Sequence, residues 1–171
     1  KIYQRVHPTL IKKSSYIASI DGVLNAVIVE GRPVGRSTVQ GEGAGPSATT
    51  SALVSDISSI LRGNIKFPFS ISTKERKKLV FNNISNRSFS AYLRFDVSDI
   101  PGVLSDITNV FSKNKVSIKR LVQDPNKGKK SSSVTIITHI AKDSQLKKII
   151  HVISRKKYIK RKPKLIRIDD I

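Results

Sequence analysis

Cysteine, methionine and tryptophan are absent from these 171 residues, and acidic residues are scarce, 12 Asp and Glu against 32 Lys and Arg. Without cysteine, disulfides, thiolate metal sites and thiol redox chemistry by the chain itself are excluded, and the composition suits a reducing, cytoplasmic setting. No apolar run approaches the roughly 20 residues that span a bilayer, and no apolar core follows the basic start Lys1-Ile2-Tyr3-Gln4-Arg5 to make a signal peptide. The sequence therefore reads as that of a soluble protein without a membrane partner. Because methionine is missing altogether, the initiator is not in the chain, and the expectation is a piece of something longer. The length admits one ordinary domain or two small ones.

The scarcity of acids leaves a formal net charge of +20, most of it on residues 89–171, with Arg155, Lys156, Lys157, Lys160, Arg161, Lys162 and Lys164 close together. Such a balance can mark a nucleic-acid surface. Aromatics that would stack on bases are missing, since only Tyr158 stands among the terminal lysines, and lysine is accompanied throughout by isoleucine, serine and asparagine, as in a proteome with A/T-rich codons. A nucleic-acid partner is not expected.

What is present is patterned. Val23 to Val29 is β-rich, Glu30-Gly31-Arg32-Pro33-Val34-Gly35 turns the chain, and a second extended stretch ends at Gln40, which predicts a hairpin. After Gly41-Glu42-Gly43-Ala44-Gly45-Pro46, the apolar residues Leu53, Val54, Ile57, Ile60 and Leu61 fall at the spacing of one helix face, and Gly63 is a natural stop. Residues 63–88 show no sustained period and read as a linker. Phe89, Ala91, Leu93, Phe95 and Val97 then alternate with polar residues as a half-buried strand. Asp99-Ile100-Pro101-Gly102 opens a helix with the stripe Val103, Leu104, Ile107, Val110 and Phe111, Pro101 being suited to its first turn, and Asn114-Lys115 ends it. Strands over 116–123 and 132–140 flank the loop 124–130. A helix with Leu146, Ile149, Ile150 and Ile153 on one face and a last strand over 165–168 complete the order. Strand, helix, strand, strand, helix, strand is the split βαβ arrangement, a ferredoxin-like α+β fold in which two helices cover one face of an antiparallel sheet.

The residues that could carry chemistry are few. His7, His139 and His151 lack metal-type spacing, Gly128-Lys129-Lys130-Ser131 fails the phosphate-loop pattern at Gln123 and Lys130, and no nucleophile, base and acid can be assembled. No catalytic residue and no metal ligand is expected within this stretch. The loop Gly41–Gly45 misses the dinucleotide fingerprint, because Pro46 stands where one register needs glycine and neither register has its acidic residue about 20 positions on. Its glycines remain suited to a close backbone approach to a ligand. In the second half, Gly102 leaves the amides of a helix start open to a small ligand.

Val6-His7-Pro8-Thr9-Leu10-Ile11, Ala18-Ser19-Ile20-Asp21-Gly22-Val23-Leu24-Asn25-Ala26-Val27, Gly41-Glu42-Gly43-Ala44-Gly45 and Thr50-Ser51-Ala52-Leu53-Val54-Ser55-Asp56-Ile57 occur in the order of the end of the homoserine dehydrogenase catalytic region, which this chain resembles over residues 5–62. Asp99-Ile100-Pro101-Gly102-Val103-Leu104 resembles an ACT domain. The resemblance implies a division into residues 1–62, the C-terminal part of the catalytic domain; residues 63–88, a linker; and residues 89–171, an ACT regulatory domain. It also implies NAD(P)-dependent interconversion of L-homoserine and L-aspartate 4-semialdehyde by the whole enzyme, on the branch leading to threonine, methionine and isoleucine, with the proton-handling lysines and most of the cofactor site outside this stretch. Gly45 matches a glycine near the nicotinamide end of NADP or NAD, with Gly43 and Ala44 shaping the same loop. Asp99, Gly102, Val103 and Gln123 would hold a regulatory amino acid, with threonine the expected effector, in a homo-oligomer, dimer or tetramer, where Gln123 reaches the ligand from the partner chain. Two departures stand out, Lys12 where the family often has proline, and Pro46-Ser47-Ala48-Thr49 where a Gly-Leu-Pro-Thr-type continuation is usual. A free-standing amino-acid sensor is the competing reading; it requires residues 1–62 to fold alone, although a hairpin and one helix bury little core.

Overall fold

Phe89, Ala91, Leu93, Phe95 and Val97 all lie on one side of the strand β4 (Ser88–Ser98) and are buried there, as their alternation demands. In the computed structural model, which describes residues 2–64, 71–126 and 130–169, this strand is the middle of a sheet of order β1-β8-β4-β6-β5. The others are β1 (Thr9–Leu10), β5 (Ile118–Pro125), β6 (Ser131–Thr138) and β8 (Lys164–Ile168). All neighbours are antiparallel except β1, which runs parallel to β8 with Thr9 beside Arg167 and Leu10 beside Ile168. A further short strand, β7 (Ala141–Lys142), pairs with the start of β4.

Two helices cover one face, α2 (Val103–Lys113) and α3 (Asp143–Ser154), and the expected stripes are the ones buried. Val103, Ile107, Val110 and Phe111 of α2 and Leu146, Ile149 and Ile153 of α3 join the β4 side chains and Val134 and Ile136 of β6 in one core. Each such side chain contributes about 1.5–3 kcal/mol on burial. Phe95 and Phe111 meet edge to face with centroids 6.4 Å apart. At the start of α3, Gln145 accepts a bond from the Lys142 amide at 3.0 Å and donates to the Asn114 carbonyl at 2.9 Å, which ties that helix start to the end of α2. The βαββαβ order is as expected. One local detail differs: Pro101 lies in the turn before α2, because Gly102 takes a left-handed conformation, φ 89°, and the helix starts only at Val103.

The segment ending at Ile11 packs with the residues from Val80 onward, while Lys12–Leu79 form a second compact unit. The placement of β1 beside β8 had no periodic signal, being two residues of strand after the extended His7-Pro8. Ile2 bridges Phe81, and Arg5 reaches Asp143 at 3.4 Å.

The second unit holds the hairpin β2 (Leu24–Gly31) and β3 (Gly35–Glu42) and the helix α1 (Pro46–Leu61). Registry is regular, from Leu24 beside Glu42 to Gly31 beside Gly35. The helix face read from Leu53, Val54, Ile57, Ile60 and Leu61 is present but uncovered; each of these residues is more than half exposed, and so are Val27, Val29 and Val39 of the hairpin. Pro68 of the expected linker and residues 127–129 of the expected 124–130 loop lie outside the described residues. Among the described residues no helix is long and apolar enough to cross a membrane.

Candidate functional site

The glycine loop joins β3 to α1. Its first fixed point is Gly43, whose amide donates to the Val23 carbonyl at 3.0 Å and so closes the hairpin's open end. A side chain here would meet Asn25: a Cβ on Gly43 would lie 1.2 Å from the Asn25 Nδ2. Gly45 behaves differently. Its φ of 118° and ψ of 152° lie where L side chains rarely go, yet nothing stands within 4 Å of the position a Cβ would take. Gly45 caps α1 with no side-chain bond, Pro46 occupies the first turn where a missing amide is harmless, and Thr49 turns back to the Gly45 carbonyl, its hydroxyl at 2.8 Å and its amide at 3.1 Å. The free space is therefore at Gly45, whereas at Gly43 the Asn25 side chain occupies the position a Cβ would take.

The second candidate lies at the start of α2. Val97, Asp99, Gly102, Val103, Gln123 and Val134 are among the walls of a cavity of about 340 Å³. The four residues singled out in the sequence thus come together on one protomer, from the β4–α2 turn and from β5. No side chain caps α2, whose first residues Val103 and Leu104 line this cavity, and an uncapped helix start is a favourable position for a carboxylate. Gln123 was expected to act across a partner boundary. In the structure its Nε2 donates to Asp99 Oδ1 at 3.0 Å and to Ser132 Oγ at 3.1 Å of its own chain, because β5 pairs with β6 in a register that puts Gln123 beside Val134, on the helix side of the sheet. Ser132 was not anticipated. Its signal was a small polar residue at a core-facing position of β6, where Val134 and Ile136 follow at the same period.

Other polar groups sit apart from this cavity. His7, expected as a structural residue, has its Nδ1 2.9 Å from both the Pro8 carbonyl and the Thr9 hydroxyl. Asp106 of α2 accepts from Tyr158 at 2.9 Å and from Lys156; these bonds hold its carboxyl below the usual range, against the opposing effect of burial. Asp143 gathers Arg167, Lys147 and Arg5. The exposed cations Arg155, Lys157, Lys160, Arg161, Lys162 and Lys164 follow α3.

Residues 1–58 match the homoserine dehydrogenase family model, and residues 91–155 match that of the ACT domain. The homoserine dehydrogenase of Helicobacter pylori is 29% identical over 97% of this chain, which corresponds to 39% of that protein. For the homoserine dehydrogenase of Synechocystis the figures are 31%, 96% and 39%. The crystal structure of a homoserine dehydrogenase from Thiobacillus denitrificans superposes with a TM-score of 0.82 at 30% identity, over 97% of this chain and 38% of the other. The chain spans about two fifths of the length of these relatives. It thus joins a segment similar to the homoserine dehydrogenase family to one similar to the ACT domain.

Proposed function

We propose that this chain supplies the end of the catalytic half and the regulatory domain of a homoserine dehydrogenase, an NAD(P)-dependent oxidoreductase interconverting L-homoserine and L-aspartate 4-semialdehyde. In this reading residues 1–62 complete the catalytic half, 63–88 connect and 89–171 regulate. The observation that carries it is the alignment of nearly the whole chain with one solved homoserine dehydrogenase at a TM-score of 0.82. The uncovered stripe on α1 supports it, since Leu53, Ile57 and Ile60 are more than half exposed and form a surface suited to the part of an enzyme that these residues do not include. The same exposure argues against a free-standing sensor.

The residues fit the cofactor unequally. The open space at Gly45 and the uncapped start of α1 leave room for a nicotinamide ring and its polar amide, while Ala44 only carries the backbone to that point. Gly43 shapes the loop from behind through Asn25. Bound NADP or NAD would supply the hydride acceptor and donor. This chain's part is to hold backbone close to it and keep side chains out of its way.

At the other site the reading assigns a free amino acid, threonine by resemblance, to the cavity of Asp99, Gly102, Val103 and Gln123. The open amides of α2 would take its carboxylate and Asp99 its ammonium group, with Gln123 holding Asp99 in place at 3.0 Å. Homo-oligomer formation and a cytoplasmic site of action belong to the same reading.

The direct test is a chimera in which this chain replaces the corresponding part of the Thiobacillus denitrificans enzyme. The folded chimera is expected to oxidise homoserine with reduction of NADP or NAD, while the 171-residue chain alone is expected to be inactive. A folded, oligomeric chimera without activity would overturn the catalytic reading.

A further inference from the structure

The cavity before α2 has two unlike sides. One is the corner formed by Asp99 and Gln123. Both hydrogens of the Gln123 amide nitrogen are spent, one on Asp99 Oδ1 at 3.0 Å and one on Ser132 Oγ at 3.1 Å, so the amide is held one way round and keeps its carbonyl oxygen free. The polar side chains of this corner are therefore acceptors, a carboxylate and an amide oxygen, suited to the N–H groups of an ammonium ion. The other side is aliphatic. Val97 of β4, Ile100 before α2, Val103 and Leu104 at its start and Val134 of β6 line the remaining space. Val97, Val103 and Val134 are buried and held by the core behind them. Ser98 also borders the cavity, but it follows Val97 on β4, where the alternation of the strand turns its side chain to the opposite face.

We infer that the amino acid this cavity selects has a branched, purely aliphatic side chain of valine's size, and that a hydroxyl on that side chain weakens binding. The inference rests on the reading of the cavity as an amino-acid site and ranks the ligands within it. Threonine, assigned by resemblance, still binds through its ammonium and carboxylate groups but is the poorer ligand. Valine and threonine have nearly the same shape, with a methyl group in one where the other has a hydroxyl. The methyl group gains apolar contact with Val97, Val103 and Val134, whereas the hydroxyl gives up water for side chains that neither donate nor accept. An apolar wall rejects such an isostere only moderately, so a ratio of roughly tenfold is expected.

Calorimetric titrations of L-valine and of L-threonine into the 171-residue chain read this ratio without any substitution. Valine should bind about tenfold more tightly. Val103→Thr, an isosteric change in the first turn of α2, gives the ligand hydroxyl a partner and removes an apolar contact from the methyl group, so the ratio should fall towards one. Val134→Thr applies the same test from β6 if that variant does not fold. Equal affinities in the wild-type chain, a preference for threonine, or a ratio that the folded variant leaves unmoved overturns the aliphatic wall as the basis of selection and leaves an amino-acid site in place. Heat from neither ligand removes the amino-acid site itself, and the inference with it.

Discussion

Arg167 of β8 holds the Oδ1 of Asp143, the first residue of α3, at 2.7 Å in a nearly closed pocket. Arg5 approaches the same oxygen at 3.4 Å and Lys147 takes the other at 2.7 Å, while the Arg167 and Arg5 guanidinium groups lie over the Phe89 ring at 4.7 and 5.8 Å. Three separate stretches of chain thus converge on one carboxylate. Burial pushes its pKa up, but Lys147 and Arg167 outweigh that and hold it below the usual value. The stabilisation by the ionised form is therefore complete above the ordinary aspartate pKa of about 3.9 and is lost as pH falls through the lowered value. Asp143→Ala is expected to destabilise the sheet unit by about 3 kcal/mol at neutral pH, since it strands partly buried arginines. Denaturant titrations should show this difference shrinking in acid, and an equal difference at pH 7 and at pH 2.5 would contradict the assignment.

Tyr158 and Asp106 form a weaker clasp between α2 and the turn after α3, with the hydroxyl 2.9 Å from the carboxylate. Burial first, and the hydrogen bond to the Asp106 carboxylate second, push the phenol pKa well above its ordinary value. The neutral phenol then stabilises the fold fully below pH 10, and that contribution is lost as pH rises into the strongly alkaline range. Tyr158→Phe should lower stability by about 1 kcal/mol at neutral pH and flatten the alkaline limb of the stability profile. Thermal melts at pH 7 and pH 11 provide the comparison.

Gly45 and Gly43 make opposite predictions. Gly45→Ala has open space for its methyl group but must adopt φ near 118°, so the damage is to the backbone and no neighbouring substitution should relieve it. A cost of about 1–3 kcal/mol follows. Gly45→Val therefore does not leave local structure untouched, as a purely steric block of the ligand would. Gly43→Ala has ordinary freedom of backbone but strikes the exposed, movable Asn25 side chain, and Asn25→Gly should restore most of what it loses. Equal rescue of both substitutions by Asn25→Gly would refute the distinction.

Much of this architecture was legible. The period of two from Phe89 to Val97 and the helical spacings of Ile107, Val110 and Phe111, and of Leu146, Ile149 and Ile153, identify core faces because burial alone sets those periods. The same rule located α1 but could not tell that its stripe would lie open, since periodicity records where a helix is apolar and not what covers it. The convergence at Asp143 was illegible for another reason: Arg5 and Arg167 are brought together by the parallel pairing of β1 with β8, and strands two residues long carry no pattern. At the cavity before α2, Asp99 and Gly102 were visible as a local motif. Ser132 became meaningful only once β5 and β6 set it against Gln123.

Calorimetric titration of threonine into the 171-residue chain tests the proposed amino-acid site. Gly102→Leu is a poor probe, because φ of 89° at that glycine would strain any side chain even where space is open. Gln123→Leu keeps the volume and removes the two bonds to Asp99 and Ser132, and should weaken threonine binding about tenfold while the melting temperature changes little. Binding unchanged by Gln123→Leu, or no heat from the wild-type chain, would withdraw the effector from this cavity.

The strand β1 has a consequence for how the domain can be moved between proteins. Thr9 and Leu10 border β8, and the Asp169 amide donates to the Leu10 carbonyl at 3.0 Å, so the sheet draws its outermost strand from before the hairpin and helix unit and all the rest from after it. The sheet unit is therefore not a contiguous cassette. Excised from about residue 85 onward, it would leave β8 as a raw edge and Asp143 short of Arg5, and a graft that preserves the sheet must carry both flanks of the inserted unit.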